Sequence, residues 1–247
     1  MALSAPMTKP TIIIPARLGS TRFPGKPLVL IHDKPLIQHV WEAAQRTGLP
    51  AYVATDDVRI ADVVHGFGGV AVMTGECENG TERVAEAARF LGLSGPVVNW
   101  QGDSPCVPPE WITTLLAEVA DRPTVVATPI QLCDDTGRSR IALDYRAGNV
   151  GATTVALRSD FRALYFSKAP IPHNGPLWLH VGVYAYGARA LEKYGHNPAP
   201  TEKAEKLEQL RFLDAGVRVQ CVPVEGPPIW EVNNPGDVPI VGGMLKC

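Results

Sequence analysis

Short apolar runs rich in β-branched residues alternate along this chain with segments of helical periodicity, and this alternation limits the possible folds more than any other feature. The pattern predicts parallel strands joined by crossover helices. Strands are predicted near 11–15, 51–54, 70–73, 96–100, 124–129, 153–157, 180–186 and 218–224, and helices near 35–48, 57–66, 82–92, 109–120 and 202–214. The stretch 134–152 is polar and contains glycine, and no element is predicted there. The sequence therefore indicates an α/β protein.

Length and composition limit the class of protein further. A chain of 247 residues suits one α/β domain with a large core. The 23 basic and 25 acidic residues give a net charge of -2, so we expect no electrostatic binding of nucleic acid. Five cysteines without CxxC spacing indicate reduced thiols in the cytoplasm. Because no window approaches about 18 uninterrupted apolar residues, we expect no membrane insertion.

The segment Thr11–Leu28 contains an apolar run that ends in a loop with cationic residues and two glycines. Arg17, Arg22 and Lys26 can converge on one polyanion, and the glycines permit close approach of the backbone. In α/β proteins, a loop of this kind at the carboxyl end of a strand binds phosphate. The loop has neither GxxxxGK[ST] nor GxGxxG spacing. The alternative interpretation is a solvated basic loop after an edge strand.

Three further segments follow predicted strands, and ligands bind outside the carboxyl ends of such strands. Asp56 is either a helix cap or a catalytic residue. The turn at 79–83 leads into a helix whose N-terminal amides favour an anion or a polar base edge, although Thr81 can equally be only an N-cap. Asp103 follows a buried strand and is placed to hold a divalent cation beside a triphosphate.

Six motifs occur in a fixed order along nearly the whole chain. They are the Arg17–Leu28 loop, NGTER at 79–83, NWQGDSP at 99–105, YFSK at 165–168 followed by Ile171-Pro172, HVGVYAY at 180–186 and LEQLR at 207–211. Together they resemble the 3-deoxy-manno-octulosonate cytidylyltransferases, which are also called CMP-Kdo synthetases. The resemblance implies a nucleotide-diphospho-sugar transferase-like three-layer sandwich with a mainly parallel central sheet. It also implies a single domain over 1–247, with a nucleotide-binding half of about 1–130 and an acceptor-binding and dimerisation half of about 131–247.

The resemblance further implies an activity, a cofactor and roles for particular residues. CMP passes from CTP to the anomeric hydroxyl of a small acidic sugar, Mg²⁺ is required, and pyrophosphate is released. The catalytic residues implied are Arg17, Lys26 and Asp103. The nucleotide-binding residues implied are Ala16, Arg17, Ser20, Lys26, Thr81, Arg83 and Gln101, the sugar-binding residues are Gln101, Lys168, His180, Tyr184 and Glu208, and the metal-binding positions are Asp103 and Asn233. Relatives are usually dimers, so a homodimer is expected.

Two of these residues have simpler interpretations when they are taken alone. A histidine in an apolar run, such as His180, is more often a buried residue with a satisfied ring than a ligand. Glu208 could be a solvated helix residue. The shared context of the motifs favours a binding role for both.

The chain departs from the family pattern around the metal and the acceptor. Asn233 stands where the family motif VDTPED has a metal-binding Asp, and Ser104 replaces the Glu of QGDEP. Lys168 stands where an Arg is usual, which replaces bidentate recognition of a carboxylate by a point charge. The stretch 171–180 is shorter than in the family. The acceptor therefore stays open among Kdo, 8-amino-Kdo, a neuraminate-like acid and a phosphonate, and a non-catalytic CTP-binding protein is a further alternative.

The amide at Asn233 leads to a prediction about the metal. A neutral amide oxygen binds Mg²⁺ less well than a carboxylate, so we expect an elevated Mg²⁺ requirement or another metal preference unless the triphosphate or another acid compensates. A titration of activity with Mg²⁺ for the wild type and for Asn233→Asp measures this. Full activation at low Mg²⁺ that Asn233→Asp leaves unchanged would contradict the expectation.

Overall fold

The computed structural model describes residues 9–19, 23–148, 151–195 and 197–245. Its strands are β1 (Thr11–Pro15), β2 (Leu30–Ile31), β3 (Lys34–Pro35), β4 (Ala51–Thr55), β5 (Ala71–Met73), β6 (Val97–Trp100), β7 (Val126–Leu132), β8 (Thr154–Leu157), β9 (Ala163–Ser167), β10 (Trp178–His180), β11 (Val183–Tyr186) and β12 (Val219–Pro223). Its helices are α1 (Leu36–Gln45), α2 (Val58–Gly66), α3 (Gly80–Phe90), α4 (Pro109–Val119), α5 (Asp135–Arg146), α6 (Pro200–Glu205), α7 (Leu210–Asp214) and α8 (Asp237–Met244). Ser20 and Arg22, singled out in the sequence, lie outside the described residues.

Ten strands of the described part of the chain form one sheet. Their order is β5-β4-β1-β6-β11-β7-β10-β8-β9, and β12 also pairs with β7. Parallel pairings join β5, β4, β1 and β6 to one another and β7 to β12, whereas β9, β10 and β11 pair with their neighbours in antiparallel fashion. Strands β1, β4, β5, β6, β7, β8 and β12 therefore run in one direction. The predicted α/β fold with a mainly parallel central sheet is confirmed.

Helices cover both faces of this sheet and produce three layers. Ile12 and Ile14 of β1 belong to a core with the apolar side chains of α1, α2 and α4. Ile13 belongs to a second core, which includes apolar side chains of α3 and α7. Successive side chains of a strand point to opposite faces, so the fully buried β1 contributes to both cores. Within the described residues no helix has the length and apolar character needed to cross a membrane.

Several regions of the structure differ from the predicted elements. The sequence predicts no element in 134–152, but α5 lies there, and its N-cap Asp134 accepts a hydrogen bond from the Gly137 amide at 2.7 Å. No described side chain of α5 is buried, so it lacks the apolar stripe that would reveal a helix. The predicted helix 202–214 divides into α6 and α7 at Lys206, whose backbone is left-handed with a φ of 56°. The sequence analysis also misses β9 and α8.

The predicted strand 180–186 divides as well. β10 pairs with β7 and β8, whereas β11 pairs with β6 and β7. The extended chain thus changes partners at Val181 and Gly182, between the two strands. This exchange of partners places residues of the second half of the chain directly beside β6, in the same sheet as the first half.

Arg211 holds the second half of the chain against α3. Its guanidinium donates two hydrogen bonds of 2.7 Å to the two carboxylate oxygens of Glu202 and a third of 2.7 Å to Glu82 Oε1 on α3. The Arg211 side chain is 2% exposed and lies over the ring of Tyr194, with the guanidinium carbon 4.3 Å from the ring centroid. A buried cation with these partners fixes the segment that precedes α7 in position.

We predict that Arg211→Met lowers the free energy of unfolding by about 3–5 kcal/mol, because it leaves buried carboxylates without their cation. Arg189→Met is the control, since Arg189 and its partner Glu192 are both exposed, and it should cost less than about 1 kcal/mol. Urea denaturation of both variants measures the difference. Equal effects of the two substitutions would show that the Arg211 cluster contributes no more to the free energy of unfolding than a surface ion pair does.

Candidate functional site

The candidate site lies at the carboxyl ends of β1 and β6, which are parallel neighbours in the sheet. The register pairs Ile13 with Asn99. The loop after β6 passes close over the end of β1, since a Cβ on Gly102 would lie 2.7 Å from the carbonyl oxygen of Pro15. Glycine is therefore required in the QGD motif by a close backbone approach. The same approach delivers Asp103 to the loop that follows β1.

Lys26 and Asp103 form the centre of this edge. Gly25, in the left-handed conformation with a φ of 73°, begins the short 3-10 helix Lys26–Leu28. The Lys26 Nζ atom lies 2.5 Å from Asp103 Oδ2, and the two side chains are only 16% and 21% exposed. The structure thus brings together two predicted catalytic residues that are 77 positions apart in the chain.

The other predicted residues of the basic loop lie on either side of this pair. Ala16 is buried, and its amide donates a 2.9 Å hydrogen bond to the carbonyl of Ala54 on β4. Arg17 is exposed, with Nη1 3.4 Å from the carbonyl oxygen of Glu78. The exposed guanidinium is accessible to a ligand at this edge. Ser20 lies outside the described residues, and its role stays a prediction.

A carboxylate of the protein itself occupies the N-terminus of α3. Glu208 Oε2 accepts a hydrogen bond from the Thr81 amide at 3.2 Å, and Glu208 Oε1 accepts one from Gln101 Nε2, also at 3.2 Å. Burial raises the pKa of the Glu208 carboxyl, while the amide groups of Thr81 and Gly80 act in the opposite direction. The positive end of α3 therefore holds Glu208, an acid from the second half of the chain.

The side chain of Thr81 does not cap α3. The N-cap is Asn79, whose Oδ1 accepts a 2.9 Å hydrogen bond from the amide of Glu82. Thr81 is buried, with Oγ1 3.1 Å from the Tyr186 hydroxyl. Asn99 Nδ2 donates to the same hydroxyl at 3.0 Å. Thr81 thus belongs to a buried polar cluster under the site, and its contact with a nucleotide stays a prediction.

Arg83 of α3 contacts the loops after β4 and β5. It is buried and donates hydrogen bonds to Asp56 Oδ2 at 2.7 Å and to Thr74 Oγ1 at 2.5 Å. Asp56 is accordingly not the cap of α2, because Asp57 fills that position and accepts a 2.9 Å hydrogen bond from the amide of the residue two positions on. The pair joins α3 to the loop after β4. A role of Arg83 toward a nucleotide stays a prediction.

Lys168, His180 and Tyr184 come from the second half of the chain and form one wall. Lys168 follows β9 and donates a 2.9 Å hydrogen bond to Thr153 Oγ1. The rings of His180 and Tyr184 lie 5.4 Å apart, centroid to centroid. Burial raises the pKa of Tyr184 well above its usual value, and the nearby charge of Glu208 raises it further. Lys168, His180 and Tyr184 therefore lie near one another, and Glu208 lies near Tyr184.

His180 is neutral in this environment. Burial lowers its pKa to about 3, and the positive charge of Lys168 lowers it further. Its Nε2 atom lies 2.9 Å from Thr128 Oγ1, and its ring makes an edge contact with Phe166 at 5.1 Å between centroids. The ring can therefore hold or accept a hydrogen bond but carries no positive charge near neutral pH.

Glu231 is a site residue that the sequence analysis does not identify. The next amide, that of Val232, donates a 3.0 Å hydrogen bond to the carbonyl oxygen of Asp103, so this segment runs beside the loop after β6. Burial raises the pKa of Glu231, and the nearby Asp103 carboxylate raises it further. The sequence offers one signal that could have identified Glu231: it lies two residues before Asn233, and only the buried Val232 separates the two.

The oxygen donors at this edge fit Mg²⁺. Asp103 and Glu231 offer carboxylates and Asn233 an amide, and hard oxygen ligands are those that Mg²⁺ prefers. The part of the chain that the structure describes holds no group of three or more acidic, histidine or cysteine side chains suited to a metal ion. Mg²⁺ at nucleotide sites takes one or two carboxylates and fills its remaining positions with phosphate oxygens and water. The donor set suits a metal that is shared with a triphosphate.

Comparison with known proteins gives consistent matches over the whole chain. The family model described as Cytidylyltransferase matches residues 11–219. The 3-deoxy-manno-octulosonate cytidylyltransferase of Paramagnetospirillum magneticum is 40% identical over 249 residues, which cover 96% of this chain and 98% of the relative. The 8-amino-3,8-dideoxy-manno-octulosonate cytidylyltransferase of Shewanella pealeana is 38% identical over 249 residues, which cover 95% of this chain and 98% of the relative.

Solved structures are also similar to this chain. A CMP:2-keto-3-deoxy-manno-octonic acid synthetase complexed with CTP superposes with a TM-score of 0.84 and 35% sequence identity, covering 97% of this chain and 99% of that chain. A cytidylyltransferase from Leptospira borgpetersenii superposes with a TM-score of 0.55 and 16% identity, covering 88% of this chain and 77% of that one. The second likeness shows the fold alone.

His180 leads to a prediction about pH. Its folded-state pKa lies below the ordinary value of 6.5, so below that pH the unfolded chain takes up a proton that the folded protein does not, and stability falls. From about pH 6 to about pH 4, the wild type should lose about 1 kcal/mol per pH unit more than His180→Gln. Urea denaturation across this range measures it. Exposed His65 supplies the control His65→Gln, which should keep the wild-type slope; an unchanged slope in His180→Gln would refute the prediction.

Proposed function

The chain belongs to the family of 3-deoxy-manno-octulosonate cytidylyltransferases, and we propose that it transfers CMP from CTP to the anomeric hydroxyl of 3-deoxy-manno-octulosonate or a close relative of that acid. The hydroxyl gives up its proton to solvent as its oxygen forms a bond to the α-phosphorus, and the bond from that phosphorus to the bridging oxygen breaks, so that pyrophosphate leaves. The observation that carries this proposal is the contact between Lys26 and Asp103, at the edge where the loops after β1 and β6 meet.

The residues of the basic loop suit the triphosphate. Transfer of a nucleotidyl group needs positioning and neutralisation of charge more than it needs a covalent nucleophile. Lys26 supplies a compact cation and Arg17 an exposed planar one beside the end of β1. Ala16, Ser20, Thr81, Arg83 and Gln101 are the other positions that we assign to the nucleotide side. Of these, Gln101 faces both the α3 N-terminus and the second half of the chain.

We assign Asp103 to a Mg²⁺ ion that is shared with the triphosphate. The ion would neutralise charge that develops on the phosphate oxygens. Asp103 and Lys26 already neutralise one another in this structure. Their contact keeps the Asp103 carboxylate, which we assign to the metal, next to the Lys26 cation, which we assign to the phosphates. The two side chains separate when the metal and the phosphates bind.

The wall formed by Lys168, His180 and Tyr184 suits the sugar acid. Lys168 offers a positive charge for the sugar carboxylate, and neutral His180, Tyr184, Gln101 and Glu208 offer hydrogen-bonding groups for hydroxyls. The raised pKa of Tyr184 keeps its phenol protonated and therefore able to donate. Because this wall and the Lys26–Asp103 pair lie at one edge of the sheet, the two substrates can be held next to one another.

We also propose a homodimer in the cytoplasm. Large apolar side chains are exposed in the second half of the chain, among them Leu132, Leu143 and Leu164, each more than half exposed. A two-fold interface is the commonest solution for such surfaces in homo-oligomers. Light scattering of the purified protein tests the dimer.

Pyrophosphate release tests the function directly. The protein is supplied with CTP or UTP and Mg²⁺, together with 3-deoxy-manno-octulosonate, its 8-amino-3,8-dideoxy analogue, a neuraminate or no acceptor. We expect release with CTP and one of the octulosonates. Release with the amino analogue alone would assign the chain to that specificity, whereas CTP binding without turnover on any acid would contradict an enzymatic role.

We predict that Lys26→Gln and Asp103→Asn each lower kcat/KM for CTP by at least about 100-fold, because each removes a charge that acts on the reacting phosphates or their metal. Lys34→Gln is the matched control, since Lys34 pairs with Glu42 on the exposed surface and should leave kcat/KM unchanged. Steady-state kinetics and circular dichroism of all three variants separate catalysis from folding. Wild-type kcat/KM in Lys26→Gln would remove Lys26 from the site.

A further inference from the structure

We propose that Glu231 supplies the second carboxylate of the metal site, in place of the acid that is missing at Asn233. The inference rests on the proposed function, because it concerns the ion that accompanies the triphosphate. It assigns to this chain a metal ligand two residues away from the position that the family motif predicts.

The backbone places Glu231 beside Asp103. The amide of Val232 donates to the Asp103 carbonyl at 3.0 Å, which ties the two segments together. Val232 is fully buried in a small core with Leu36 and Val241. Because Val232 anchors the segment, the residues on either side of it are held at fixed distances from Asp103.

The Glu231 carboxylate points to the centre of the site. A Cβ on Gly182 would lie 3.0 Å from Glu231 Oε1 and 3.7 Å from Gln101 Cγ. Gly182 separates β10 and β11 and is followed by Val183, which pairs with Trp100 at the end of β6. Glu231 therefore lies close to the carboxyl end of β6, and the absence of a side chain at 182 leaves room for it.

The charges around Glu231 suit a shared cation. Asp103 is the nearby like charge, while Lys168 and Lys26 are the nearby opposite charges. Two carboxylates that lie near one another repel, and a divalent ion bound by both relieves the repulsion. Glu231 thus lies near both of the lysines that we assign to the two substrates.

Asn233 is then a positioning residue. Its side chain is hydrogen bonded to the Glu231 carboxylate, and since a carboxylate only accepts, the Asn233 amide donates. Such outer partners orient the ligands of a metal. This changes the expectation drawn from the sequence: Glu231 is the acid that compensates for Asn233, so Asn233→Asp in the wild type should add a repelling charge and not improve metal use.

The metal-dependent gain in CTP affinity tests the proposal without turnover. Isothermal titration calorimetry gives the Kd of CTP with saturating Mn²⁺ and with EDTA, and the ratio of the two is the gain. We expect Glu231→Gln to reduce this gain by about 10-fold or more and to leave the Kd in EDTA unchanged. Glu225→Gln is the matched control, because it removes the same charge from an exposed position in the same segment. It should keep the wild-type gain.

Two more variants sharpen the test. Gly182→Ala keeps every functional group but moves the Glu231 carboxylate, so it should reduce the gain by several-fold. The exchange variant with both Glu231→Gln and Asn233→Asp returns a carboxylate to the same site, and we expect it to recover most of the gain. Circular dichroism checks that all variants fold.

Three results would overturn the assignment. A wild-type gain in Glu231→Gln shows that Glu231 does not bind the metal. An altered Kd in EDTA shows that it acts on the nucleotide itself. An exchange variant as weak as Glu231→Gln alone shows that positions 231 and 233 do not serve one ion. If instead the wild type binds no CTP with or without Mn²⁺, the proposed function itself fails and the assignment falls with it.

Discussion

The parallel pairing of β1 with β6 is the constraint on which the rest of the site depends. It brings the loop after each strand to the same edge, and the close approach of Gly102 to the Pro15 carbonyl fixes the distance between the two loops. Lys26 and Asp103 meet only because of that distance. Neither side chain would hold a defined position on an isolated loop, since ordering a long flexible side chain costs entropy. The two buried strands make the contact possible.

A second set of contacts joins the two halves of the chain. Arg211 binds Glu202 and Glu82 in a buried cluster, and the segment just before it presents Glu208 to the N-terminus of α3. The helix end that could have bound an external anion is thus occupied by an internal one. Through Gln101, Glu208 is connected to the same loop that carries Asp103. Glu208 therefore connects the second half of the chain to the N-terminus of α3 and to the loop after β6.

Charge at the site is distributed in a way that suits two anionic substrates. Lys26 contacts Asp103, and the charges of Asp103, Lys168 and Lys26 all act on Glu231. In the proposed function, the lysines act on the phosphates and the sugar carboxylate, and the acids bind a divalent ion. The net charge of the whole chain, -2, does not reveal this local arrangement of charges. Recognition depends on local placement, because screening removes most interactions between distant surface charges.

The sequence by itself determined the α/β class, the strands of the parallel half and the motifs that identify the family, because buried strands and glycine-bearing loops leave local patterns. It did not reveal α5, which has no apolar face, or the division of strand 180–186, which depends on a change of partner strand. The tertiary structure alone decided that Glu208 occupies the end of α3 and that Glu231 lies beside Asp103. These contacts join residues far apart in the chain, and a sequence pattern records the neighbours of a residue along the chain but not those that folding brings to it.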